Sequence, residues 1–458
     1  MSSVEAGTRP APAPPQRAVL GGFGRTHPVA VTVLRPRDGE EVAELLAADA
    51  PVRGLIARGA GLSYGDPAQN EGGAVLDTSA LVGVHALDSR SGDVTVGAGT
   101  RIAELLAELA GHGLTLPVVP GTSGVSVGGA IAADVHGKNH PRDGSFGARL
   151  TAMTICTPAD GLLEVSREQH AELFAATLGG IGLTGVIVAA TLETIVLRRP
   201  AAVADIDRVG SLEQALELLD EDTRHSHAIA WLDLLARGSR FSRAVVTRSR
   251  EGEEATGPTA LAPLRKLELP SLLPGGLLQP AGVRAFNRLL WLRTPRQVRE
   301  RPMAMGPALF PLDRLGGWNR LYGRRGLVQY QVAVPRGEEW TLRCLLEMLR
   351  ARRMPMYLAS LKRLGPGSGG LLSFPIEGWT LAIDLPARAP GLAEALAEAD
   401  ALLAGAGGRV YLAKDSRMSP ETLAAGYPEL PAFQALRARV DPHEILRSDM
   451  SRRLGLTR

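Results

Sequence analysis

The 458 residues exceed what one hydrophobic core comfortably fills, so two domains are the default. With 45% apolar residues, a formal charge of +3 and no long Lys/Arg run, the composition is that of a globular protein, not a disordered chain or a nucleic-acid arm. No apolar run is long enough to cross a bilayer, and the two cysteines, Cys156 and Cys344, are too far apart to suggest a metal knuckle or redox pair, which fits a reducing compartment.

The chain opens on "MSSVEAGTRPAPAPPQRAVL", a Pro/Ala-rich stretch without the apolar segment of a signal peptide. Residues 1–16 are expected to be a disordered tail, and the protein to be cytoplasmic. From about residue 30 to 197, helical spacing in "EEVAELLA" (40–47) and "RIAELLAELAGHG" (101–113) alternates with glycine-bounded β runs. These runs are "GLIARG" (54–59), "GAVLD" (73–77), "DVTVGAG" (93–99) and "GVIVAATLETIVL" (185–197). The fold class is therefore α+β. After residue 200 the texture changes: "SLEQALELLDED" (211–222) reads as a helix, and "GLVQYQVAVP" (326–335), "MPMYLASLKRLG" (354–365) and "WTLAIDLP" (379–386) read as strands. Between them, residues 250–305 are rich in Pro and Leu with scattered Arg, too long for an ordinary loop, so either mobile or a functional cover. From "GGRVYLAKDSR" (407–417) onward a compact mixed pattern returns.

Three glycine stretches imitate nucleotide motifs and fail on context. "GIGLTG" (180–185) has the G-x-G-x-x-G letters but follows a helix and opens a strand, the reverse of a dinucleotide fold. "VTVGAGTRIAELL" (94–106) has strand then helix, but Ile102 replaces the third glycine. "VHGKN" (135–139) lacks both the first glycine and the Ser/Thr of a phosphate loop. Two loops are left, "ARGAGLSYGD" (57–66) and "PGTSGVSVGGAIAADVHG" (120–137). Successive backbone N–H groups in such loops form concave nests that hold a pyrophosphate without a lysine.

Only four of the 51 basic residues are lysine: Lys138, Lys266, Lys362 and Lys414. A compact ammonium can be desolvated and can give up a proton, which a guanidinium does not readily do. Lysines surviving in an arginine-rich chain therefore mark candidate chemistry, and three of the four sit inside motif-like stretches.

The blocks "ARGAGLSYGD", "PGTSGVSVGGAIAADVHGKNH", "GSFG", "GGIGLTG", "WNRLYG", "VQYQ", "LSFPIEGW" and "AKDSR", in that order, resemble the vanillyl-alcohol-oxidase type of FAD oxidoreductase. More narrowly they resemble its branch that serves arabinan synthesis by oxidising the 2′-hydroxyl of a polyprenylphosphoryl ribose. The resemblance implies a bipartite FAD domain, residues 17–199 and 408–458. A substrate domain, residues 200–407, would be inserted between them, its antiparallel sheet over the flavin ring. It implies a cofactor lining of Ala57, Arg58, Gly59, Ala60, Gly61, Leu62, Ser63, Tyr64, Gly65, Asp66, Pro67, Gly121, Ser126, Val127, Gly128, Gly129, Ala133, Asp134, Val135, His136, Ile187 and Tyr411. Many relatives attach FAD through a histidine where this chain has Leu62, which has no nucleophilic nitrogen, so the flavin is expected to be non-covalent.

For alcohol oxidation the site must hold the carbinol carbon, stabilise a developing alkoxide and exclude water. Lys414 in "YLAKDSR" is the first candidate for the proton, set against a plain Lys414–Asp415 surface pair, and His136 is the candidate to orient substrate or tune the ring. The resemblance places Lys138 and Lys362 toward the sugar phosphate. Gln329 and Gln331 alternate onto one strand face and can reach the same hydroxyls. Asn139 and His140 read as structural. Ala382 and Thr380 stand where close relatives often have Cys and Asn, which leaves the exact sugar open. A lipid-linked ribose phosphate would bring the protein to the inner face of a membrane as a peripheral visitor, with 262–300 and Trp291 as lipid-side cover or as an ordinary insertion. An NADH-dependent keto-sugar reductase is the implied partner, and no nucleic acid is. Two rivals stand beside this reading: a same-fold oxidase of a soluble alditol, aldonolactone or nucleoside sugar, and a flavin-binding scaffold without activity.

Overall fold

The computed structural model describes residues 14–48, 52–198, 201–252, 267–270 and 278–458. The first strand, Gln16–Leu20, takes the last residue of the expected tail into a sheet by pairing antiparallel with Val29–Leu34. Residues 1–13 lie outside the described residues. Val29–Leu34 then pairs in parallel with Ala74–Asp77, and that strand with Leu55–Arg58, closing a four-stranded sheet. A second, antiparallel sheet orders Val84–Leu87, Val94–Gly97, Val186–Leu192, Leu150–Thr157 and Gly161–Ser166. The helices read from spacing form at Gly39–Ala47 and Ile102–Gly111. Asp38 caps the first by accepting from the Glu41 N–H, and each buries its apolar stripe.

Strand Ala201–Val209 opens an eight-stranded antiparallel sheet. Its order is Gln297–Ala304, Ala201–Val209, Arg243–Glu251, His227–Asp233, Ala359–Leu364, Gly378–Pro386, Leu327–Pro335 and Arg409–Val410. Two of these results revise the reading of the sequence. The "MPMYLASLKRLG" strand begins only at Ala359. The 250–305 stretch contains a helix, Pro280–Arg293, and the edge strand Gln297–Ala304. Residues 253–266, Lys266 among them, and 271–277 lie outside the described residues. One face of the large sheet is apolar (Val328, Tyr330, Val332, Val334, Leu361, Leu381, Ile383) and is covered by helices that include Leu212–Asp220 and Glu339–Ala351. Because strand side chains alternate, the opposite face gathers Gln329, Gln331, Thr380, Ala382, Asp384, Ser360, Lys362 and Trp231.

The last segment returns to the first sheets. Leu55 bridges Leu446 in parallel, and Arg453 grips Asp66 through two bonds of 3.0 and 2.7 Å and Asp415 at 2.9 Å. The Tyr64 N–H donates to the Ala413 carbonyl at 2.9 Å. The end of the chain thus clamps the first glycine loop, and the open face of the large sheet lies against both loops.

Candidate active site

The two glycine loops are stitched by one hydroxyl. Ser126 caps the short helix Val127–Ala132, accepting from the Gly129 N–H at 3.4 Å, and its oxygen also accepts from the Ala60 N–H at 3.3 Å. A Cβ at Gly59 would collide with that oxygen, so the loops approach this closely only with glycine there. Arg58 ties the first loop down by donating to the Ala68 and Gly21 carbonyls, both at 2.9 Å. The stretch from Arg58 to Ser63 is half-exposed, and the N–H groups of Gly61, Leu62 and Ser63 find no acceptor among the described residues. In the second loop a Cβ at Gly121 would meet open space. Half-exposed amides without partners beside open volume fit an extended diphosphate, and FAD offers one.

Behind the second loop Asp134 adopts a positive φ of 38°. It is held there by the Gly147 N–H at 2.9 Å and the Ser368 hydroxyl at 2.6 Å, with Ser373 as a third donor. Tyr411 stacks on Phe374 (centroids 4.4 Å apart) and donates to the Ala133 carbonyl at 2.8 Å, so it braces the loop from behind. Ile187 is buried on the strand Val186–Leu192. Gly65, Asp66, Pro67 and Val135 follow the turns of these two segments, whereas Ala57 lies in the strand Leu55–Arg58 and Val127 and Gly128 open the helix Val127–Ala132.

Where the large sheet meets the loops, His136 is buried between Lys362 Nζ, 3.2 Å from Nδ1, and Gln331 Nε2, 3.0 Å from Nε2. The Gln331 amide also donates to Thr380 Oγ1 at 3.2 Å. Burial, then the nearby Lys362, hold the imidazole well below its usual pKa, so it is neutral. A neutral imidazole has one N–H and one lone pair, and two proton arrangements satisfy it. Either Lys362 is an amine accepting from Nδ1–H while Gln331 donates to Nε2, or Lys362 donates and the Gln331 amide is turned to accept. Lys362 supports both, because burial and the neighbouring Lys138 and Lys414 push it down to about 7. Next to this pair, the buried atoms His140 Nε2, Asn139 Oδ1 and Ser145 Oγ have no hydrogen-bond partner among the described residues. His140 Nδ1 accepts from the Gly365 N–H at 2.9 Å, and Asn139 donates to Pro117 O and Asp143, so both side chains also hold the fold.

Lys414 ends the 3-10 turn Leu412–Lys414 with its ammonium 3.8 Å from the centroid of the Tyr64 ring. The surface-pair alternative fails: Asp415 Oδ1 accepts from the Arg417 and Met418 N–H groups and Oδ2 from Arg453. Burial depresses Lys414 to about 7, against the opposing pull of Asp384. Sequence reasoning missed Asp384. Its carboxylate accepts from Gln329 at 2.6 Å and from the Tyr322 hydroxyl at 3.3 Å, and burial raises it to about 6. Gln329 also donates to the Tyr64 hydroxyl at 3.3 Å, so Asp384, Gln329, Tyr64 and Lys414 form one connected wall. An Asp in the middle of an otherwise apolar β run, two residues from Ala382, was the available signal. Also missed was the aromatic cluster of Phe23, Tyr64 and Trp318, with centroids 5.1 and 5.3 Å apart, which backs that wall.

Of the remaining expected substrate residues, Lys138 donates to the Ala308 carbonyl and, half-buried, is lowered to about 8 by desolvation. Ala382 is half-buried opposite Gln331 and Ser360. The arrangement therefore joins Lys362, Lys414, Gln329, Gln331 and His136 at one sheet face against two cofactor-sized glycine loops. Its low-pKa amines suit proton acceptance from a hydroxyl, and its cations suit a nearby anion.

A family described as FAD binding domain matches residues 30–166. The chain is 37% identical over 449 residues to the decaprenylphosphoryl-beta-D-ribose oxidase of Mycolicibacterium smegmatis, covering 95% of this chain and 97% of that protein. It is 25% identical to the L-gulono-1,4-lactone dehydrogenase of Mycobacterium tuberculosis, over 92% of this chain and 95% of that one. To the alditol oxidase of a Streptomyces species it is 32% identical, over 38% of this chain and 41% of that one.

Proposed function

Since the chain belongs to the decaprenylphosphoryl-β-D-ribose oxidase family of FAD-dependent oxidoreductases, we propose that it oxidises the 2′-hydroxyl of a polyprenylphosphoryl β-D-ribose to the 2′-keto sugar. The observation that carries this reading is the convergence of two half-buried lysines, both depressed to about 7, with two glutamines on one sheet face. Bound FAD supplies the acceptor for the carbinol hydride. Its diphosphate would rest on the amides of Gly61, Leu62 and Ser63, with Ser126 fixing the distance between the loops. Gln329 and Gln331 present amides to the ribose hydroxyls. Lys414, as the free amine, accepts the proton of the reacting hydroxyl, and the Tyr64 ring stabilises the ammonium that results. Lys362 and Lys138 supply positive potential for the phosphodiester. His136, neutral and held from both sides, fixes Gln331 and Lys362 in place.

This charge balance favours the phosphorylated sugar over a neutral alditol or lactone, which has nothing to set against the half-buried lysines. Anaerobic mixing tests it. A short-chain prenylphosphoryl ribose bleaches the flavin band at about 450 nm, whereas an alditol or aldonolactone leaves it intact. Equal bleaching by the neutral sugars would move the protein to the soluble-sugar rival, and a flavin-loaded protein bleached by none of them would be a scaffold. The flavin is held without a covalent bond, because Leu62 occupies the attachment position, so acid precipitation leaves a yellow supernatant. The keto product is a substrate for reduction by a hydride donor, which makes an NADH-dependent keto-sugar reductase the proposed partner. None of the described helices is long and apolar enough to cross a membrane. A lipid-linked substrate would place the work at a membrane surface, and this reading puts it on the cytoplasmic side.

A further inference from the structure

The helix Pro280–Arg293 turns its apolar residues the wrong way for a soluble protein. Phe286, Leu289, Leu290 and Leu292 are 63%, 46%, 37% and 64% exposed, four exposed large apolar side chains gathered within about two helical turns. Its inward side is fixed by other groups. Val283 packs with Tyr64, Tyr322, Leu327 and Tyr357, and the buried Asn287 donates to Asp233 at 3.0 Å. Arg284 donates to the Leu235 carbonyl at 3.1 Å. Trp291, placed in sequence within a stretch read as lipid-side cover or ordinary insertion, has its ring against the guanidinium groups of Arg208 and Arg243, at 4.8 and 4.6 Å. The lipid-facing candidates are therefore its neighbours.

Charge identifies the occupant. From Leu269 to Arg299 the sequence has no Asp or Glu and five arginines. Of these, Arg288, Arg293 and Arg296 are exposed and make no ion pair among the described residues. A protein partner that covered this face would need acidic groups against the arginines and an apolar socket between them. The interfacial zone of an anionic bilayer supplies both at once, with phosphates at the rim and acyl chains below. The helix also begins at the active site, since the Leu278 carbonyl accepts from the Tyr357 hydroxyl at 3.2 Å beside the Tyr64–Tyr322 wall.

We propose that Pro280–Arg293 is an in-plane anchor that docks the edge of the active site onto an anionic lipid surface through Phe286, Leu289, Leu290 and Leu292, with Arg288, Arg293 and Arg296 on the headgroups. The role assigned to the surface, delivery of a lipid-linked sugar, rests on the function proposed above; the docking itself does not. The flavin-loaded full chain is floated with phosphatidylglycerol vesicles and, separately, with phosphatidylcholine vesicles. It partitions onto the anionic vesicles at least about tenfold more than onto the neutral ones, and added salt lowers the binding. The exposed substitutions F286S/L289S/L292S reduce partitioning about tenfold or more while leaving the flavin spectrum unchanged. On substrate they reduce turnover of a long-chain prenylphosphoryl ribose in vesicles but not of a short-chain analogue in solution. Wild-type protein that stays off phosphatidylglycerol vesicles overturns the proposal, as does a triple variant that floats like wild type. A concentration-dependent dimer in sedimentation, abolished by the same substitutions in the absence of lipid, overturns it in favour of a second copy. Failure of the short-chain sugar to bleach the flavin would sink the proposed function and leave the vesicle result standing.

Discussion

Lys414 is the residue whose environment does most to set the chemistry. Its amine is lowered to about 7 by burial, against the pull of Asp384, and must be unprotonated to accept the substrate proton. The pH–rate profile of flavin reduction should therefore rise through about pH 7. Lys414→Ala should retain FAD and reduce the rate of reduction by about two to four orders of magnitude, the usual worth of a general base. Loss of flavin from that variant would make the lysine a cofactor ligand instead. Asp384→Asn separates cause from coincidence. The carboxylate favours the charged ammonium, so removing it lowers the Lys414 pKa further and moves the rising limb to lower pH. A limb that moved up or stayed in place would show that Asp384 does not act on Lys414. Lys414 was legible in the sequence because arginine dominates its class. Asp384 was not, because its significance depends on a cross-strand partner, Gln329, 55 residues away.

At the scale of elements, the two glycine loops form one device with Ser126 as its pin. Gly59→Ala places a methyl against the Ser126 oxygen, so the hydroxyl must swing off the Ala60 and Gly129 amides or the loops must part, and the variant should purify folded but colourless. Ser126→Ala removes both the cap of Val127–Ala132 and the acceptor for Ala60, at a cost of about 1 kcal/mol in stability and with weaker FAD retention. Flavin titration by fluorescence quenching, read beside a urea midpoint, distinguishes the two effects. A Gly59→Ala protein that bound FAD like wild type would show that the close approach of the loops is incidental. The loops themselves were legible because glycine density is a local property. Helix Pro280–Arg293 was not, since its Pro, Gly and Leu content resembles an irregular insertion and its apolar residues point outward. Ridge and core no longer agree on such a helix, and periodicity loses its meaning as a sign of burial.

For the molecule as a whole, the site stores protons weakly. Lys362 and Lys414 are lowered to about 7 and Lys138 to about 8, while His140 and His227 are lowered to about 4, in each case with burial as the first cause. The change of texture near residue 200 marked where the large sheet begins, but it could not show that the sheet brings three of the four lysines together, each half-buried. That concentration has a thermodynamic consequence. Between the folded values and the ordinary ones, 6.5 for histidine and 10.5 for lysine, the unfolded chain binds more protons than the native protein. Stability therefore rises with pH across that interval. The histidine part of the gain is complete near pH 6.5, and the lysine part continues from about 7 upward. The urea midpoint should be higher at pH 9 than at pH 6.5. Lys362→Met, which exchanges a buried ammonium for an apolar chain of similar length, should raise the midpoint at pH 6.5 and flatten the rise. A midpoint that fell toward pH 9, or a variant with the wild-type slope, would mean that water reaches these ammonium groups freely. In that case the low-pKa base on which the proposed oxidation depends would not exist.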